Sequence, residues 1–322
     1  MAVYTEVSDE ALRAFLSDYE LGELLAFRGI AEGVENSNYA LKTARGDFIL
    51  TLYEKRVDPA ELPWFLGLMR HLVSRGLACP EPVPGRDGEA LRVLAGRPAA
   101  ICTFLPGIWP RRVRPAHCEP LGEALGALHL AGDGFSDARR NGLGPHAWGP
   151  LLDKCRRDAA PELVAELDAS LAAILRGWPE AGALPVGHIH ADLFPDNVFF
   201  LDDGRGQRVS GLIDFYFACT DLLAYDVAVC LNAWCFEPDR SFNVTKARAL
   251  LRGYRAKRAL SAEELAALPV LCRGAAMRFL LTRLYDWVNT PAGAMVTRKD
   301  PMEYLHKLRF FQHAEDPGAI GG

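Results

Sequence analysis

Hydrophobic and polar residues alternate along several early stretches of the chain, which is the pattern of half-buried β-strands. Apolar positions recur at Tyr39 and Leu41 and again over residues 48–53, after a turn signal rich in small and polar residues. A second pair of short apolar runs spans residues 90–94 and 97–104. Strands joined by such short turns pair in antiparallel fashion. The first third of the chain therefore predicts an antiparallel sheet.

Helical spacing interrupts this β-pattern at two places. Ser8 is a predicted N-cap for a helix whose apolar residues fall between positions 12 and 19. Asp58 followed by proline indicates the start of a second helix. The apolar stripe over residues 65–72 is its predicted buried face, and Gly76 is its predicted end. Each helix is expected to have one packed, apolar face.

After Pro106 and Gly107 the pattern becomes mainly helical. The predicted helices lie over residues 121–129, 151–178, 221–228, 278–286 and 304–311. Asp221 is the predicted N-cap of the third of these, and residues 134–148 are predicted to be a polar connection. We therefore predict an N-terminal lobe of residues 1–106, a second lobe of residues 107–314, and a loose tail of residues 315–322.

The stretch from residue 187 to residue 217 carries the most informative polar residues. His190, Asp192 and Asn197 precede one short β-prone run, and Asp214 follows the next. A turn-rich link separates the two runs, so they predict a hairpin that returns Asp214 to the side of Asn197. The alternative interpretation is an acidic hairpin loop with two unrelated aspartates.

Phosphoryl transfer requires this set of side chains. An aspartate accepts the proton of the attacking hydroxyl, while an asparagine and a second aspartate hold Mg²⁺ against the phosphates. Asp192 and Asn197 have the spacing D-x-x-x-x-N of a kinase catalytic loop, and Asp214 begins an Asp-Phe pair at the place of the kinase Asp-Phe-Gly. Tyr216 stands where that motif has glycine.

Composition narrows the class of protein further. The chain has 322 residues, 50% of them hydrophobic, and a net charge of −5 without a basic block, which argues against a nucleic-acid partner. Its eight cysteines are scattered without a C-x-x-C pair and are expected to be free, buried thiols of a reducing compartment. No signal pattern and no membrane-spanning apolar run are expected. These features favour a cytoplasmic protein.

A glycine- and asparagine-bearing tip, residues 33–38, is the candidate phosphate loop. The strand after it has Thr51 at the position where a kinase carries its phosphate-binding lysine. Lys42 on the neighbouring strand and Lys55 at the strand end are alternative sources of that charge. Glu61 is a candidate partner of the phosphate lysine or a helix cap.

The motifs H-x-D-x-x-x-x-N and I-D-F resemble those of the aminoglycoside phosphotransferase-like small-molecule kinases. Within that group the segments FRGIAEGVENSNYAL, FILTLYEKR, HADLFPDN, and RFLLTRLYDW followed by RKDP are similar to the homoserine kinases. The resemblance implies an α+β fold of the protein-kinase-like, two-lobed type, with a small antiparallel β-sheet N-lobe and a mainly helical C-lobe. It also implies ATP-dependent phosphorylation of L-homoserine to O-phospho-L-homoserine, in threonine biosynthesis.

The resemblance assigns roles to particular residues. Asp192 is the expected base, with His190 beside it, and Asn197 and Asp214 are the expected Mg²⁺ ligands. The expected ATP contacts are Gly33, Val34, Asn36, Ser37 and Asn38 for the phosphates and Thr103, Phe104 and Leu105 for the adenine. For the zwitterionic acceptor, Arg283 and Asp286, with Arg278 as a helper, are the expected partners; a structural salt bridge among them is the alternative. We expect structural roles for His129, Asp221 and Asp226.

Other functions share much of this pattern. A kinase acting on choline, an aminoglycoside or a sugar alcohol would keep the ATP machinery. Choline requires an aromatic cage, for which Trp234, Tyr285 and Trp287 are candidates. A nucleotide-binding pseudokinase would fit the missing strand lysine but not the intact Asp192 and Asn197.

Overall fold

The computed structural model describes residues 4–31, 36–54, 58–202, 204, 206–290, 298–314 and 316–322. The chain forms two compact units. The first takes in residues 1–107 and 210–216, and the second takes in residues 108–209 and 217–322. The predicted division at residue 106 places residues 210–216 with the second part of the chain, so the first unit contains a returning segment that the prediction does not include.

The first unit contains a five-stranded antiparallel sheet. In the strand order β1-β2-β3-β5-β4, its members are β1 (Leu24–Gly29), β2 (Ser37–Thr43), β3 (Gly46–Leu52), β5 (Arg97–Thr103) and β4 (Arg92–Leu94). Ala95 and Gly96 join the last two strands with φ angles of 49° and 73°. Two successive positive φ angles are the geometry of a type I′ turn, which matches the twist of a hairpin. Both predicted hairpins are confirmed.

Two helices complete the first unit, α1 (Asp9–Leu16) and α2 (Leu62–Ser74). The hydroxyl of Ser8 accepts a hydrogen bond from the N–H of Ala11 over 3.1 Å, so the predicted N-cap is confirmed. The second helix starts later than predicted, because Asp58 caps a short 3₁₀ turn over Pro59–Glu61 before the α-helix begins.

The core of the first unit lies between α1 and the sheet. Leu12, Phe15 and Leu16 of α1 are buried together with apolar residues from all five strands. Removing this much apolar surface from water supplies the main driving force for the unit. The stripe predicted on α2 is buried as well, and Gly76 follows that helix with a φ of 87°.

The second unit is mainly helical. Its helices are α3 (Pro115–Ala131), α4 (Pro145–Cys155), α5 (Pro161–Gly177), α6 (Leu223–Trp234), α7 (Val244–Lys257), α8 (Ala262–Asn289) and α9 (Met302–His313). Three short strands lie among them, β6 (Val186–Ile189), β7 (Val198–Asp202) and β9 (Cys219–Leu222), and a fourth, β8 (Gln207–Leu212), continues into the returning segment of the first unit. β6 pairs with β9, and β7 pairs with β8. The hairpin predicted after the catalytic motif is therefore confirmed.

Two local predictions in this unit are wrong. The helix α4 begins at Pro145, inside the segment predicted to be a polar connection. Asp221 is not a helix cap, since it lies in β9 opposite Gly187 of β6. Its carboxylate accepts hydrogen bonds from the amide of Asn141 over 2.7 Å and from the N–H of Leu222. Strand pairing and this side-chain bond determine its position.

The helices α3 and α7 approach each other closely at two glycines. A Cβ atom on Gly122 would lie 2.0 Å from the carbonyl oxygen of Leu250, and one on Gly253 would lie 2.0 Å from that of Glu119. No side chain fits at either position without moving backbone. The contact depends on glycine on both helices.

The helix α8 is the longest of the described elements, at 28 residues. Its length and composition alone would allow it to cross a membrane, which differs from the expectation from the sequence. Of its apolar window, 72% is buried inside the protein. This is the environment of a core helix, and the indole rings of Trp148 and Trp178 pack directly on Gly274.

Residues 316–322 of the predicted loose tail are folded, so the prediction is wrong for them. A 3₁₀ turn over Pro317–Ile320 follows α9, and the side chain of Ile320 is completely buried. All eight cysteines are free and buried, which confirms the expectation of free, buried thiols. Burial raises the pKa of several of them, Cys102 to about 12 for example.

Candidate active site

The catalytic motif lies in the loop that leaves β6. His190 follows the last residue of that strand, and the loop ends in a 3₁₀ turn over Pro195–Asn197 that leads directly into β7. Pairing between β6 and β9 fixes where the loop starts, and the hairpin fixes where it ends. The motif is thus held at both ends by regular structure.

Asn197 turns back onto Asp192 within this loop. Its Nδ2 donates to the carbonyl oxygen of Asp192 over 2.8 Å and lies 3.4 Å from the carboxylate oxygen Oδ2. Because both acceptors are oxygens, the orientation of the amide is determined. Its Oδ1 accepts no hydrogen bond from the part of the chain that the structure describes. One oxygen donor therefore remains available beside the candidate base.

Asp226 of α6 anchors the start of the loop. Its two carboxylate oxygens accept hydrogen bonds from the N–H groups of His190, over 2.7 Å, and Ala191, over 2.8 Å. Ala191 has a φ of 63°, which is unfavourable for a residue with a Cβ. The two bonds hold the backbone in this strained shape. The structural role expected for Asp226 is confirmed.

A buried chain of polar groups continues behind Asp226. The Nε2 atom of His129 lies 3.3 Å from its carboxylate, and the Nδ1 atom of His129 lies 2.7 Å from the hydroxyl of Tyr254. Burial by itself raises the pKa of the Asp226 carboxyl, but the bond and charge of His129 and the bonds from His190 bring that pKa below its ordinary value. The carboxylate is thus held in its charged form, and the structural role expected for His129 is confirmed.

Arg278 of α8 lies directly beneath the loop. Its guanidinium donates a hydrogen bond to the carbonyl oxygen of Ala191, and its Nη2 atom lies 3.9 Å from a carboxylate oxygen of Asp192. The group stacks on the rings of Phe217 and Phe279, with only 2% of the side chain exposed. The sequence analysis assigned Arg278 to the acceptor, whereas the structure places it against the loop backbone.

His190 and Trp234 are also part of the support of the loop. The ring Nδ1 of His190 accepts a hydrogen bond from the N–H of Asp192 over 3.3 Å, and the side chain is fully buried. The indole N–H of Trp234 donates to the carbonyl oxygen of Leu193 over 2.8 Å, and Trp234 is fully buried too. Trp234 is therefore unsuited to an exposed aromatic cage.

Asp214 belongs to the segment that returns to the first unit. It is exposed, with a φ of 66°, and the side chain of Phe215 after it is buried. Tyr216 donates a hydrogen bond to the hydroxyl of Tyr53 over 3.0 Å, and its ring packs edge-on against Phe65 of α2. The residue that replaces the kinase glycine therefore fastens this segment to the first unit.

The predicted phosphate loop is described only at its base, since Gly33 and Val34 lie outside the described residues. At that base, Ser37 is fully buried. Its hydroxyl donates to a carboxylate oxygen of Glu54 over 2.7 Å and accepts from the N–H groups of Tyr4 and Thr5. With its single proton in use, this hydroxyl stabilises the base of the hairpin and has none to donate to a phosphate.

The neighbouring asparagines also bond within the sheet. Asn36 accepts a hydrogen bond from the N–H of Glu54, and Asn38 accepts one from the hydroxyl of Thr51 over 2.8 Å. Thr51, at the position of the expected lysine, thus braces the adjacent strand. Lys42 pairs with Asp47 at the far end of β2, about 13 Å along the strand from Asn38. The alternative, Lys55, lies outside the described residues.

The predicted adenine segment follows β5. The hydroxyl of Thr103 accepts a hydrogen bond from the N–H of Glu81 over 2.9 Å. Phe104 is 47% exposed, which is unusual for so large an apolar ring. Leu105 lies against Gly211, where a Cβ atom would be 2.6 Å from the leucine side chain. The segment therefore offers exposed apolar surface on a fixed backbone.

Arg283, one of the acceptor residues predicted on α8, has partners on α9 and just before it. Arg283 donates to the carboxylate of Glu303 over 2.6 Å and to the carbonyl oxygen of Asp300, and it stacks on the ring of Tyr304. Lys307 donates to the second oxygen of Glu303, also over 2.6 Å. The recorded ion pair of Arg283 thus joins two helices, a pairing that sequence spacing does not reveal.

Lys299 was not predicted as a site residue. Its ammonium lies 5.6 Å from the centre of the Phe194 ring, two residues beyond Asp192 in the catalytic loop. The only sequence signal for it was the segment RKDP, in which no single residue stands out. Among the described residues no group of three or more histidine, cysteine or carboxylate side chains is arranged to hold a metal ion.

Comparisons with known proteins identify the family of the chain. A model of the phosphotransferase enzyme family matches residues 26–260. Homoserine kinases of Gluconacetobacter diazotrophicus and Acidiphilium cryptum are 66% and 67% identical, each over 324 residues and with complete coverage of both chains.

Solved structures resemble the chain at low identity. A microcompartment-associated aminopropanol kinase has a TM-score of 0.72 at 20% identity, covering 98% of this chain and 99% of its own. Choline kinase from Cryptosporidium parvum has a TM-score of 0.68 at 13% identity, covering 98% of both chains. These likenesses confirm the predicted protein-kinase-like α+β fold. By its match to the family model and by its full-length relatives, the chain belongs to the phosphotransferase enzyme family and, within it, to the homoserine kinases.

Proposed function

We propose that the protein transfers the γ-phosphoryl group of ATP to the side-chain hydroxyl of L-homoserine, giving O-phospho-L-homoserine and ADP. The observation that carries this proposal is the full-length identity of 64–67% to three curated homoserine kinases. The loop built around Asp192 supplies the matching chemistry. The product would enter threonine biosynthesis, and the eight free, buried cysteines favour a cytoplasmic enzyme.

Asp192 is the proposed base. The acceptor oxygen forms a bond to phosphorus as the bond from phosphorus to the β,γ-bridging oxygen breaks, and the hydroxyl proton passes to the Asp192 carboxylate. Asn197 and Arg278 lie on two sides of that carboxylate, at 3.4 and 3.9 Å. Their contribution is to hold it in one orientation, because alignment supplies much of the catalysis in such reactions.

Asn197 and Asp214 are the proposed Mg²⁺ ligands. Magnesium takes oxygen donors, commonly one or two from the protein, and the uncommitted Oδ1 of Asn197 and the exposed carboxylate of Asp214 are suitable donors. When bound, the ion neutralises charge on the phosphates. Within the chain itself, Tyr216 holds the segment of Asp214 through Tyr53.

His190 has a proposed positioning role. It is too deeply buried to carry a proton to an acceptor, and its ring bonds the N–H of Asp192. Together with Asp226 it keeps the loop backbone in its strained form.

For the nucleotide we retain Gly33, Val34, Asn36 and Asn38 as proposed phosphate contacts and Thr103, Phe104 and Leu105 as the proposed adenine segment. The exposed ring of Phe104 supports the latter. Ser37 was also predicted to contact the phosphates, but its buried, fully used hydroxyl favours a role in holding the base of this loop.

For the acceptor, Arg283 is proposed to act indirectly, by holding Asp300 and Glu303 at the start of α9. Asp286, three residues further along α8, remains the proposed partner of the homoserine ammonium group. Arg278 is reassigned from the acceptor to the catalytic loop.

The test is ADP release from Mg·ATP with L-homoserine, compared with choline, an aminoglycoside and L-serine. The variant Asp192→Asn removes the base, and Asp196→Asn is its matched control, since Asp196 is an exposed acid of the same loop. We expect turnover with homoserine that Asp192→Asn loses by more than about a hundredfold and Asp196→Asn retains. Turnover of another alcohol in place of homoserine would overturn the assignment of homoserine as the substrate. Equal effects of the two variants would overturn the assignment of Asp192 as the base.

A further inference from the structure

We infer that Lys299 binds the carboxylate of the acceptor and thereby selects an amino acid over a simple amino alcohol. This inference rests on the proposed function, because it concerns the acceptor of that same reaction. The inference goes beyond the proposed function because it assigns the choice of acceptor to a residue outside the catalytic motifs.

The chemistry of the acceptor defines what is required. Homoserine differs from 3-amino-1-propanol only by a carboxylate on the carbon that bears the amine. A site that prefers homoserine needs a cation close to the catalytic loop, with its charge not already used by a protein carboxylate.

Two buried cations near the loop do not meet this requirement. Arg278 bonds the carbonyl oxygen of Ala191 and lies close to the carboxylate of Asp192. Arg283 is paired with Glu303 and bonds the carbonyl oxygen of Asp300. A substrate carboxylate would have to compete with these partners for the cation, which reduces the free energy that the cation can contribute to binding.

Lys299 meets the requirement for a cation near the loop that is not paired with a protein carboxylate. Its recorded contact is with the face of the Phe194 ring, and it has no carboxylate partner within the described residues. The side chain is exposed, so a ligand can reach its ammonium. Phe194 itself packs edge-on against Phe279 of α8, with 4.9 Å between ring centres, so the surface under the ammonium is fixed.

The neighbours of Lys299 hold its backbone in place. Arg298 stacks on the indole of Trp287 and donates to the carbonyl oxygen of that residue over 3.0 Å. On the other side, Asp300 accepts from Arg283 through its carbonyl and from the N–H of Met302 through its carboxylate. Both flanking side chains are therefore used structurally, and Lys299 is presented to the loop between them.

The length of the acceptor fits this placement. About 5 Å separates the hydroxyl oxygen of homoserine from its carboxylate carbon, a path of four bonds. Phe194 is two residues from Asp192, so a molecule with its hydroxyl at the base can extend over the ring that Lys299 covers. The amine, on the carbon next to the carboxylate, is then left for an acidic partner.

The experiment compares kcat/KM for L-homoserine with kcat/KM for 3-amino-1-propanol in Lys299→Met, Lys299→Arg and the unchanged enzyme. Lys154→Met is the matched control, since Lys154 is also an exposed lysine lying over an aromatic ring, that of Tyr285 at 5.9 Å. The constant for inhibition of homoserine phosphorylation by 3-amino-1-propanol compares the binding of the two alcohols in each variant, without the chemical step.

We expect Lys299→Met to lower the homoserine to aminopropanol ratio by about 10- to 100-fold, the size of a lost charge-assisted hydrogen bond. Lys299→Arg should keep most of the ratio, and Lys154→Met should not change it. An unchanged ratio in Lys299→Met, including an equal loss for both alcohols, would overturn the inference. The proposed function fails separately, if the unchanged enzyme does not phosphorylate homoserine.

Discussion

Tyr216 donates its hydroxyl proton to the hydroxyl of Tyr53 across 3.0 Å, at the position where protein kinases have a glycine. Burial raises the pKa of both phenols, so both remain protonated at physiological pH. The bond gives the short segment after Asp214 a fixed partner in the strand region of the first unit. In a protein kinase, a glycine there has no side chain with which to make such a bond.

We expect each single variant, Tyr53→Phe and Tyr216→Phe, to lower the free energy of unfolding by about 1–2 kcal/mol, because each leaves the other hydroxyl buried without its partner. The double variant should lose less free energy of unfolding than the sum of the two single losses, since it leaves no buried hydroxyl without a partner. Urea midpoints of the four proteins measure this coupling. Additive losses would show that the bond contributes nothing.

Asp226→Asn should be strongly destabilising and should lose most activity. The amide presents only one acceptor oxygen where the carboxylate presents two, so one of the N–H groups of His190 and Ala191 loses its bond. We expect a loss of about 2–4 kcal/mol from the free energy of unfolding, measured by denaturant titration. The exposed acid Asp239, changed to Asn in the same way, is the control and should have a much smaller effect.

The same carboxylate predicts a pH dependence of stability. Its pKa is lower in the folded protein than in the unfolded chain, so folding favours the ionised form. The resulting stabilisation is present above the unfolded pKa, near 4, and is lost as the pH falls through the folded value. Unfolding midpoints between pH 7 and pH 3 should therefore fall less steeply in Asp226→Asn than in the unchanged protein. Parallel curves would contradict this prediction.

Arg278→Lys and Arg278→Met test whether this residue serves the loop or the acceptor. A guanidinium that holds Ala191 and Asp192 in place should affect kcat, by about 10- to 100-fold, and leave the KM for homoserine within about threefold. Steady-state kinetics with homoserine varied at saturating ATP separate the two constants. A rise in KM with kcat retained would instead return Arg278 to the acceptor, as the sequence first indicated.

Gly253→Ala should destabilise the second unit by more than about 2 kcal/mol, because the new methyl would meet the backbone of α3. Gly149→Ala is the matched control, being also a helical glycine but with open space around it. That change should be neutral or stabilising by up to about 1 kcal/mol, since alanine favours helix. Thermal midpoints of the two variants provide the comparison.

The features predicted correctly from sequence are those encoded within a few residues. Ser8, Gly76 and the pair Ala95–Gly96 each mark a cap or a turn whose geometry depends on their own backbone. The catalytic loop is recognisable for the same reason, because Asp192 and Asn197 are five positions apart and hydrogen-bond each other directly.

What sequence reasoning missed depends on residues far apart in the chain. Asp221 has the side chain of a helix cap, but pairing with a strand more than thirty residues earlier takes precedence. Arg283 forms an ion pair with Glu303 on a different helix, whereas the salt bridge considered from the sequence involved only residues of α8. Lys299 becomes informative only when Phe194 is seen beneath it. No local pattern encodes such contacts.

The unbroken course of α8 has a consequence for substrate size. Its 28 residues span about 42 Å, and Arg278, which contacts the proposed base, is five positions from Arg283, which bonds the segment of Lys299. The proposed place of the acceptor's hydroxyl and the proposed place of its carboxylate are thus supported from one helix. We therefore expect a hydroxy amino acid that is one methylene longer or shorter than homoserine to be a poor substrate. It carries every required charge, but its hydroxyl and its carboxylate are the wrong distance apart.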